Sequence, residues 1–91
     1  MRQEMRGGAA ALTRVFEHEG RPVVLTITVE PWGEDWRGVL EISGLHAPHR
    51  SEHPSIDSLG ALLAAVRVAP VILASMAPGI TWLGEADLGL T

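Results

Sequence analysis

The sequence predicts an α+β fold, in which an antiparallel β-meander of three strands plus a short fourth C-terminal strand is covered on one face by one long, proline-kinked helix. Three observations support this fold class. Apolar residues alternate with mostly polar ones from Val23 to Glu30 and again from Trp36 to Ser43, which is the period of a half-buried strand. A long apolar stretch between residues 56 and 77 has helical spacing. Short polar or glycine-containing segments separate these stretches, as expected for turns.

The three meander strands come first in the chain. "ALTRVFEH" predicts the first strand, and "PVVLTITVE" predicts the second because aliphatic residues occupy every other position from Val23 to Val29. "WRGVLEIS" predicts the third, with Trp36 on the same face as Leu40 and Ile42. We therefore expect Trp36 to close one end of the core.

The helix is predicted to begin near Ser55 as N-cap, with Asp57 in its first turn. The residues expected to face the sheet recur at helical spacing: Ile56, Leu59, Leu62, Leu63, Val66, Leu73 and Met76. Pro70 removes a backbone hydrogen bond, which predicts a kink or two helical pieces meeting near Ala69. "APG" ends the helix, and "ITWL" predicts the short fourth strand with Trp82 facing the core.

Composition limits the possible functions. The 91 residues predict one domain, residues 9–91, after a flexible tail at residues 1–8. The absence of cysteine excludes disulfides, zinc–thiolate sites and cysteine nucleophiles. The net charge is -4, and the seven basic residues, all arginine, form no cluster, so neither nucleic acid nor an anionic membrane is an expected partner. The polar start "MRQEMRGG" does not have the pattern of a signal peptide, and we expect a cytoplasmic protein.

Histidines in the polar segment before the helix are the candidates for a metal site. His46, His49 and His53, together with Glu52, offer imidazole and carboxylate ligands that suit zinc or nickel. Solvated loop histidines explain the same residues, because two prolines bound the segment and no helical spacing presets a geometry. We therefore assign no metal and no cofactor.

Catalytic motifs are missing from the sequence. None of the serines stands in a nucleophile elbow or at an acid–base spacing. The neighbouring carboxylates Glu34 and Asp35, like Glu85 and Asp87, fall in predicted turns where water solvates them. No glycine-rich phosphate loop follows a strand. We expect no catalytic residues and no enzymatic activity.

A second apolar face on the helix predicts an interface. Val68, Val71 and Ile72 lie on the side that should face water, where only Arg67 is charged. Alanines on that side need no partner, because they are good helix formers. A membrane span is disfavoured, since Arg67 and Pro70 both lie in the apolar stretch.

The turn before the third strand supplies a further candidate for the interface. Trp32 follows a proline and stands beside Glu34 and Asp35. An exposed tryptophan is a frequent anchor at binding surfaces. Packing over the hairpin edge is the alternative for Trp32.

Three stretches, "EDWRGVLEISGL", "SIDSLGALLAAV" and "ITWLGE", together resemble a family of small uncharacterised bacterial proteins that is catalogued as a domain of unknown function. Its members carry W-R-C-x-(apolar)-x-I, then D-S-(apolar)-x-A-L on a helix, then T-W-(apolar)-G. The resemblance covers roughly residues 12 to 84 and departs at Gly38, where the pattern has cysteine. It implies a fold and no activity; by analogy, small acidic α+β bacterial proteins are often immunity proteins or accessory binding modules.

Together these observations predict a non-enzymatic module for protein–protein interaction, of the immunity or accessory type, with a protein partner or a second copy of itself. The alternative is a protein that binds a small ligand or a metal through His46, His49 and His53.

Overall fold

The structure, a computed structural model, describes residues 9 to 90. Its elements are β1 (Ala10–His18), β2 (Arg21–Trp32), β3 (Asp35–Ser43), β4 (His49–Ser55) and α1 (Ser58–Met76). The strands form one antiparallel sheet in the order β1-β2-β3-β4, and α1 packs on one face of it. The predicted α+β meander with one long helix is confirmed. The predicted flexible tail, residues 1–8, lies outside the described residues.

Two tight turns join the first three strands. The turn between β1 and β2 consists of Glu19 and Gly20, whose φ angles are 53° and 77°, as in the type I′ turns that suit the twist of a hairpin. The turn between β2 and β3 begins with Gly33 at φ 65°. The side chains of β2 that alternate from Val23 to Val29 are buried under α1. The alternation in the sequence therefore assigned the correct face of β2 to the core.

The position of the fourth strand differs from the prediction. β4 forms from the polar segment "HRSEHPS", which pairs with β3 from Trp36 to Ile42. No alternation of apolar residues marks this segment, and it becomes a strand because the edge of β3 offers unpaired backbone N–H and C=O groups. "ITWL" instead makes one bridge to β1, in which the N–H groups of Glu17 and Thr81 donate to each other's carbonyl oxygens at 2.8 and 2.9 Å.

Asp57, and not the predicted Ser55, is the N-cap of α1. The backbone of Asp57 is extended, and its Oδ1 accepts a hydrogen bond of 2.6 Å from the backbone N–H of Gly60. Ser55 is the last residue of β4 and so remains part of the sheet.

Pro70 lies within α1, which continues as one helix to Met76, so the chain does not divide into two helical pieces at Ala69. The helix ends at the C-cap Ala77, whose N–H donates to the carbonyl of Leu73 at 2.8 Å. The "APG" segment thus ends the helix as the sequence predicts.

The face of α1 that meets the sheet is made of small residues. Ala61, Ala65, Ala69 and Leu73 follow one another at intervals of four residues and are fully buried. Beneath them lies Gly38, where an added Cβ would stand 2.5 Å from the carbonyl oxygen of Ala61 and 3.2 Å from the Cβ of Ala65. The absence of a side chain at Gly38 lets the backbone of α1 approach β3 this closely.

The predicted orientation of the helix is therefore wrong for three of the seven residues assigned to its core stripe. Ile56, Leu59 and Leu63 are exposed. Leu62, Val66 and Met76 are half-buried and pack against the core cluster as predicted, and Leu73 alone of the predicted stripe is fully buried. The helix is apolar on every side, so hydrophobic spacing did not select a face, and the narrow gap above Gly38 favours the side with alanines.

The core cluster joins the sheet, the buried side of α1 and the segment that follows it: Phe16, Val23, Leu25, Ile27, Val29, Leu40, Ile42, Ala61, Ala65, Ala69, Leu73, Ala77 and Ile80. Trp36 and Trp82 are partly buried and pack against this cluster. The structural role predicted for Trp36 and the predicted orientation of Trp82 are confirmed.

The segment after α1 is fixed to β1 by Arg14. Nη1 of Arg14 donates to the carbonyl oxygens of Leu88 and Gly89, both at 3.0 Å. The guanidinium carbon also lies 3.9 Å from the ring centroid of Trp82, which is a cation–π contact. This contact holds the C-terminal segment beside α1, where it forms one wall of a groove described below.

Candidate functional site

The outward face of α1, defined as Leu59, Leu63, Arg67 and Val71, is the most prominent apolar surface of the helix. These residues recur at intervals of four, directly opposite the buried alanines. Leu59 is 63% exposed, Leu63 38% and Val71 68%. A helix of a soluble domain ordinarily turns polar residues to this side, so this face has the composition of a surface that another molecule covers.

Of the three helix residues that the sequence predicted for an interface, Val71 alone belongs to the outward face. Val68 and Ile72 are half-buried and pack against the core cluster. Leu59 and Leu63 also belong to this face, although their helical spacing predicts them for the core. The sequence does indicate an exposed apolar face, because α1 is apolar around its whole circumference. One apolar side therefore stays exposed whichever side meets the sheet.

Arg67 is the charged residue in the middle of this face. It is exposed, and within residues 9 to 90 no carboxylate lies close enough to form an ion pair with it. A partner that covers the outward face must therefore offer Arg67 a carboxylate or leave its guanidinium at the wet rim.

A groove runs along one flank of α1 next to Val71. Its volume is about 420 Å³, and its walls include Pro70, Ala74, Ile80 and Leu88. Asp87 is an exposed carboxylate in the wall of this groove. We call it the C-terminal groove, because the segment after α1 supplies most of its outer wall.

Trp32 lies far along the chain from the outward face and on a different surface. It ends β2, is 48% exposed, and has the guanidinium of Arg37 at 5.9 Å from its ring centroid. Glu34 and Asp35 beside it are exposed. Since successive side chains of β2 point to opposite sides of the sheet, Trp32 shares the uncovered side with Glu30, and α1 covers the other side. The predicted interface residues thus fall into two separate groups.

The uncovered side of the sheet carries a ladder of ion pairs. Arg37 bonds Glu30 at 2.7 Å and Glu52 at 2.9 Å. Arg50 bonds Glu52 at 2.5 Å and approaches Glu41 at 3.9 Å. The hydrogen bond from Arg50 lowers the pKa of Glu52, and the same bond raises the pKa of Arg50. Because each charge has an opposite neighbour across the strands, this ladder stabilises strand pairing.

The candidate metal ligands do not converge. Glu52 belongs to the ion-pair ladder on the uncovered side, while His49 and His53 alternate with it on the helix side of β4. His46 precedes β4 and lines a different depression. Within residues 9 to 90 no group of three or more histidines and carboxylates stands close enough to hold a metal ion.

Ser51 links two of these histidines instead. Its Oγ lies 2.8 Å from Nε2 of His53 and 3.2 Å from Nε2 of His49. A serine and an imidazole at such a distance could act as nucleophile and base. In the part of the chain that is described, however, no carboxylate hydrogen-bonds to either ring, so the third member that orients such a base is missing. The three side chains form a hydrogen-bonded row on an edge strand.

α1 is also the one helix among residues 9 to 90 that is long and apolar enough, by length and composition, to cross a membrane, a criterion that core helices of soluble proteins meet as well. In the structure its alanine face packs on the sheet.

Comparisons with protein-family models, with curated proteins and with solved structures find no match to this chain. The resemblance to the bacterial family of unknown function stays a prediction. The structure adds that the cysteine of that pattern would not fit at Gly38 with α1 at its present distance, because a Cβ already collides with the helix backbone.

Proposed function

We propose that this protein is a non-enzymatic binding module of the bacterial cytoplasm, of the immunity or accessory type, which binds a protein through the outward face of α1. The observation that carries the proposal is the exposure of Leu59, Leu63 and Val71 on one stripe of a helix whose opposite side is already buried. Burying such side chains contributes about 25 cal/mol for each Å² of apolar surface removed from water. A partner that covers this stripe therefore gains affinity without disturbing the core.

A protein suits this surface better than a lipid bilayer does. Arg67 stands in the middle of the stripe, and a charged side chain placed at the centre of an apolar membrane face costs about 2.5–3.5 kcal/mol even on lenient insertion scales. The chain also carries a net charge of -4, which opposes binding to anionic lipids. A protein can supply a carboxylate to Arg67, and a hydrocarbon layer cannot.

Site-directed photo-crosslinking tests the proposal. A photo-reactive phenylalanine analogue replaces Leu63 in the full chain, in the cells that naturally express it, and we expect a crosslinked product of defined mass. The same analogue at Thr13, an exposed position on the uncovered side of the sheet, is the matched control and should give no such product. Equal labelling at both positions, or none at Leu63, would refute the assignment of the surface.

A substitution on the outward face provides a second test of the proposed binding surface. Val71→Glu places a charge on the outward face at a residue that is 68% exposed, so we expect loss of the crosslink from position 63 with an unchanged melting temperature. Val68→Glu and Ile72→Glu are less suitable, because both side chains pack against the core and a buried carboxylate would destabilise the fold.

A further inference from the structure

We infer that a second copy of this chain covers the C-terminal half of the outward face, with Arg67 of each copy bound to Asp87 of the other. The inference rests on the proposed function, because both use the outward face of α1. It goes further in naming the partner, the pair of charges that fixes its position, and the C-terminal groove as the receiving surface.

The groove has the chemistry to receive the neighbouring part of another α1. Its walls are aliphatic apart from Asp87. One oxygen of Asp87, Oδ1, accepts a hydrogen bond of 2.9 Å from the backbone N–H of Gly89. That bond holds the carboxylate in place at the edge of the groove, and its second oxygen has no donor within residues 9 to 90. An apolar groove with one oriented carboxylate is complementary to an apolar ridge with one cation.

The outward face supplies that ridge. Val71 and Arg67 are successive members of the same stripe, one turn apart. If two α1 helices cross antiparallel at Val71, Arg67 of one copy lies opposite Ser75 of the other. Ser75 follows Ala74, which shares the C-terminal groove with Asp87. Ala74 and Ser75 are small, so two helices can approach closely at this crossing.

Two-fold symmetry explains why the receiving chain is a second copy. Each chain carries both the ridge with Arg67 and the C-terminal groove with Asp87. In a two-fold symmetric dimer the ridge of each copy therefore meets the groove of the other, so every contact forms twice. A crossing centred on Arg67 would instead place two guanidinium groups face to face. The charges therefore displace the crossing toward the C-terminal end of α1, where each Arg67 meets a carboxylate.

Charge reversal tests the pairing. Sedimentation equilibrium of the full chain from about 1 μM to about 1 mM should show a monomer–dimer equilibrium. We expect Arg67→Asp and Asp87→Arg each to raise the dimer dissociation constant about tenfold or more, because each creates two like-charge contacts in the symmetric dimer. An equimolar mixture of the two variants should regain association. In the mixed dimer, the aspartate introduced at position 67 of one copy faces the arginine introduced at position 87 of the other. The native Asp87 of the first copy faces the native Arg67 of the second, so both contacts again join opposite charges.

Matched controls separate this result from general effects of charge. Arg21→Asp and Glu85→Arg make the same changes at exposed positions outside the C-terminal groove and should leave the dissociation constant unchanged. Far-ultraviolet circular dichroism confirms that every variant folds. Asp87→Asn keeps the acceptor for Gly89 and should weaken the dimer less than the reversal does.

Three outcomes would overturn the inference: a wild-type chain that stays monomeric over the whole range, single reversals that associate like the wild type, or a mixture that does not regain association. The proposed function fails separately. A monomeric chain that still gives a position-specific crosslink of a different protein at Leu63 refutes the second copy alone, whereas a monomeric chain without any crosslink at Leu63 refutes the binding face itself.

Discussion

Gly38→Ala tests the close approach of α1 to the sheet, the feature that decides which side of the helix is exposed. The new Cβ would lie 2.5 Å from the carbonyl oxygen of Ala61, and that oxygen would have to move by about 0.9 Å to reach the 3.4 Å at which ordinary contact begins. The colliding atom belongs to the backbone, so no change of rotamer relieves the contact. The whole first half of α1 must shift away from β3.

The expected net effect is a loss of about 1–2 kcal/mol in the free energy of unfolding. Overpacking of this kind typically costs about 1–3 kcal/mol. Replacing glycine by alanine in a strand returns about 0.5–1 kcal/mol through reduced freedom of the unfolded chain. For a domain of this size each kcal/mol corresponds to about 4–8 °C, so the melting temperature should fall by about 5–15 °C.

Urea denaturation followed by tryptophan fluorescence measures the free energy, and calorimetry measures the melting temperature. Gly38→Ala combined with Ala65→Gly serves as the control, because the second change relieves the 3.2 Å contact with the Ala65 Cβ and leaves the backbone collision in place. We expect no rescue in the double variant. A Gly38→Ala protein as stable as the wild type, or more stable, would show that α1 is not held this close to β3.

Three further changes test other parts of the fold. Asp57→Ala removes the N-cap hydrogen bond of 2.6 Å and should lower stability by about 0.5–2 kcal/mol in urea denaturation; no change would mean that water caps the helix equally well. Arg14→Ala should release the C-terminal segment, seen as a shift in Trp82 fluorescence and faster amide exchange after residue 81, with β2 protection unchanged. Glu52→Gln tests the pKa that Arg50 lowers: the stability that Glu52 contributes is present above the ordinary glutamate pKa of about 4.3 and disappears as pH falls through the lower folded-state value. The difference between wild type and variant in urea midpoints should therefore be larger at pH 7 than in acid, and smaller in high salt; a difference independent of pH contradicts the ion-pair assignment.

Local patterns were sufficient for the meander and for the existence of the helix. The alternation from Val23 to Val29 fixes the buried face of β2, because successive side chains of a strand point to opposite sides. Glycine at position 33 marks a tight hairpin, since its positive φ is costly for other residues. The place of Trp36 at the end of the core follows from the same alternation.

β4 could not be found in this way. Its residues carry no apolar alternation, and pairing with the edge of β3 forms the strand. The pairing also places His49, Ser51 and His53 on one side and Glu52 on the other, which separates residues that the sequence had grouped as possible metal ligands. A linear spacing cannot reveal this separation when the segment is taken for a loop.

The sequence by itself therefore determined the elements in which apolar residues recur with a regular local period. It also determined the absence of cysteine and of basic clusters. Only the tertiary structure decided which side of α1 faces the sheet. Apolar residues surround this helix, so burial of the leucine side and burial of the alanine side both satisfy the hydrophobic effect. The choice depends on a residue of another element, Gly38, whose missing side chain allows a backbone-to-backbone approach that only alanines can fill. That contact turns Leu59, Leu63 and Val71 outward and so creates the surface on which the proposed function depends.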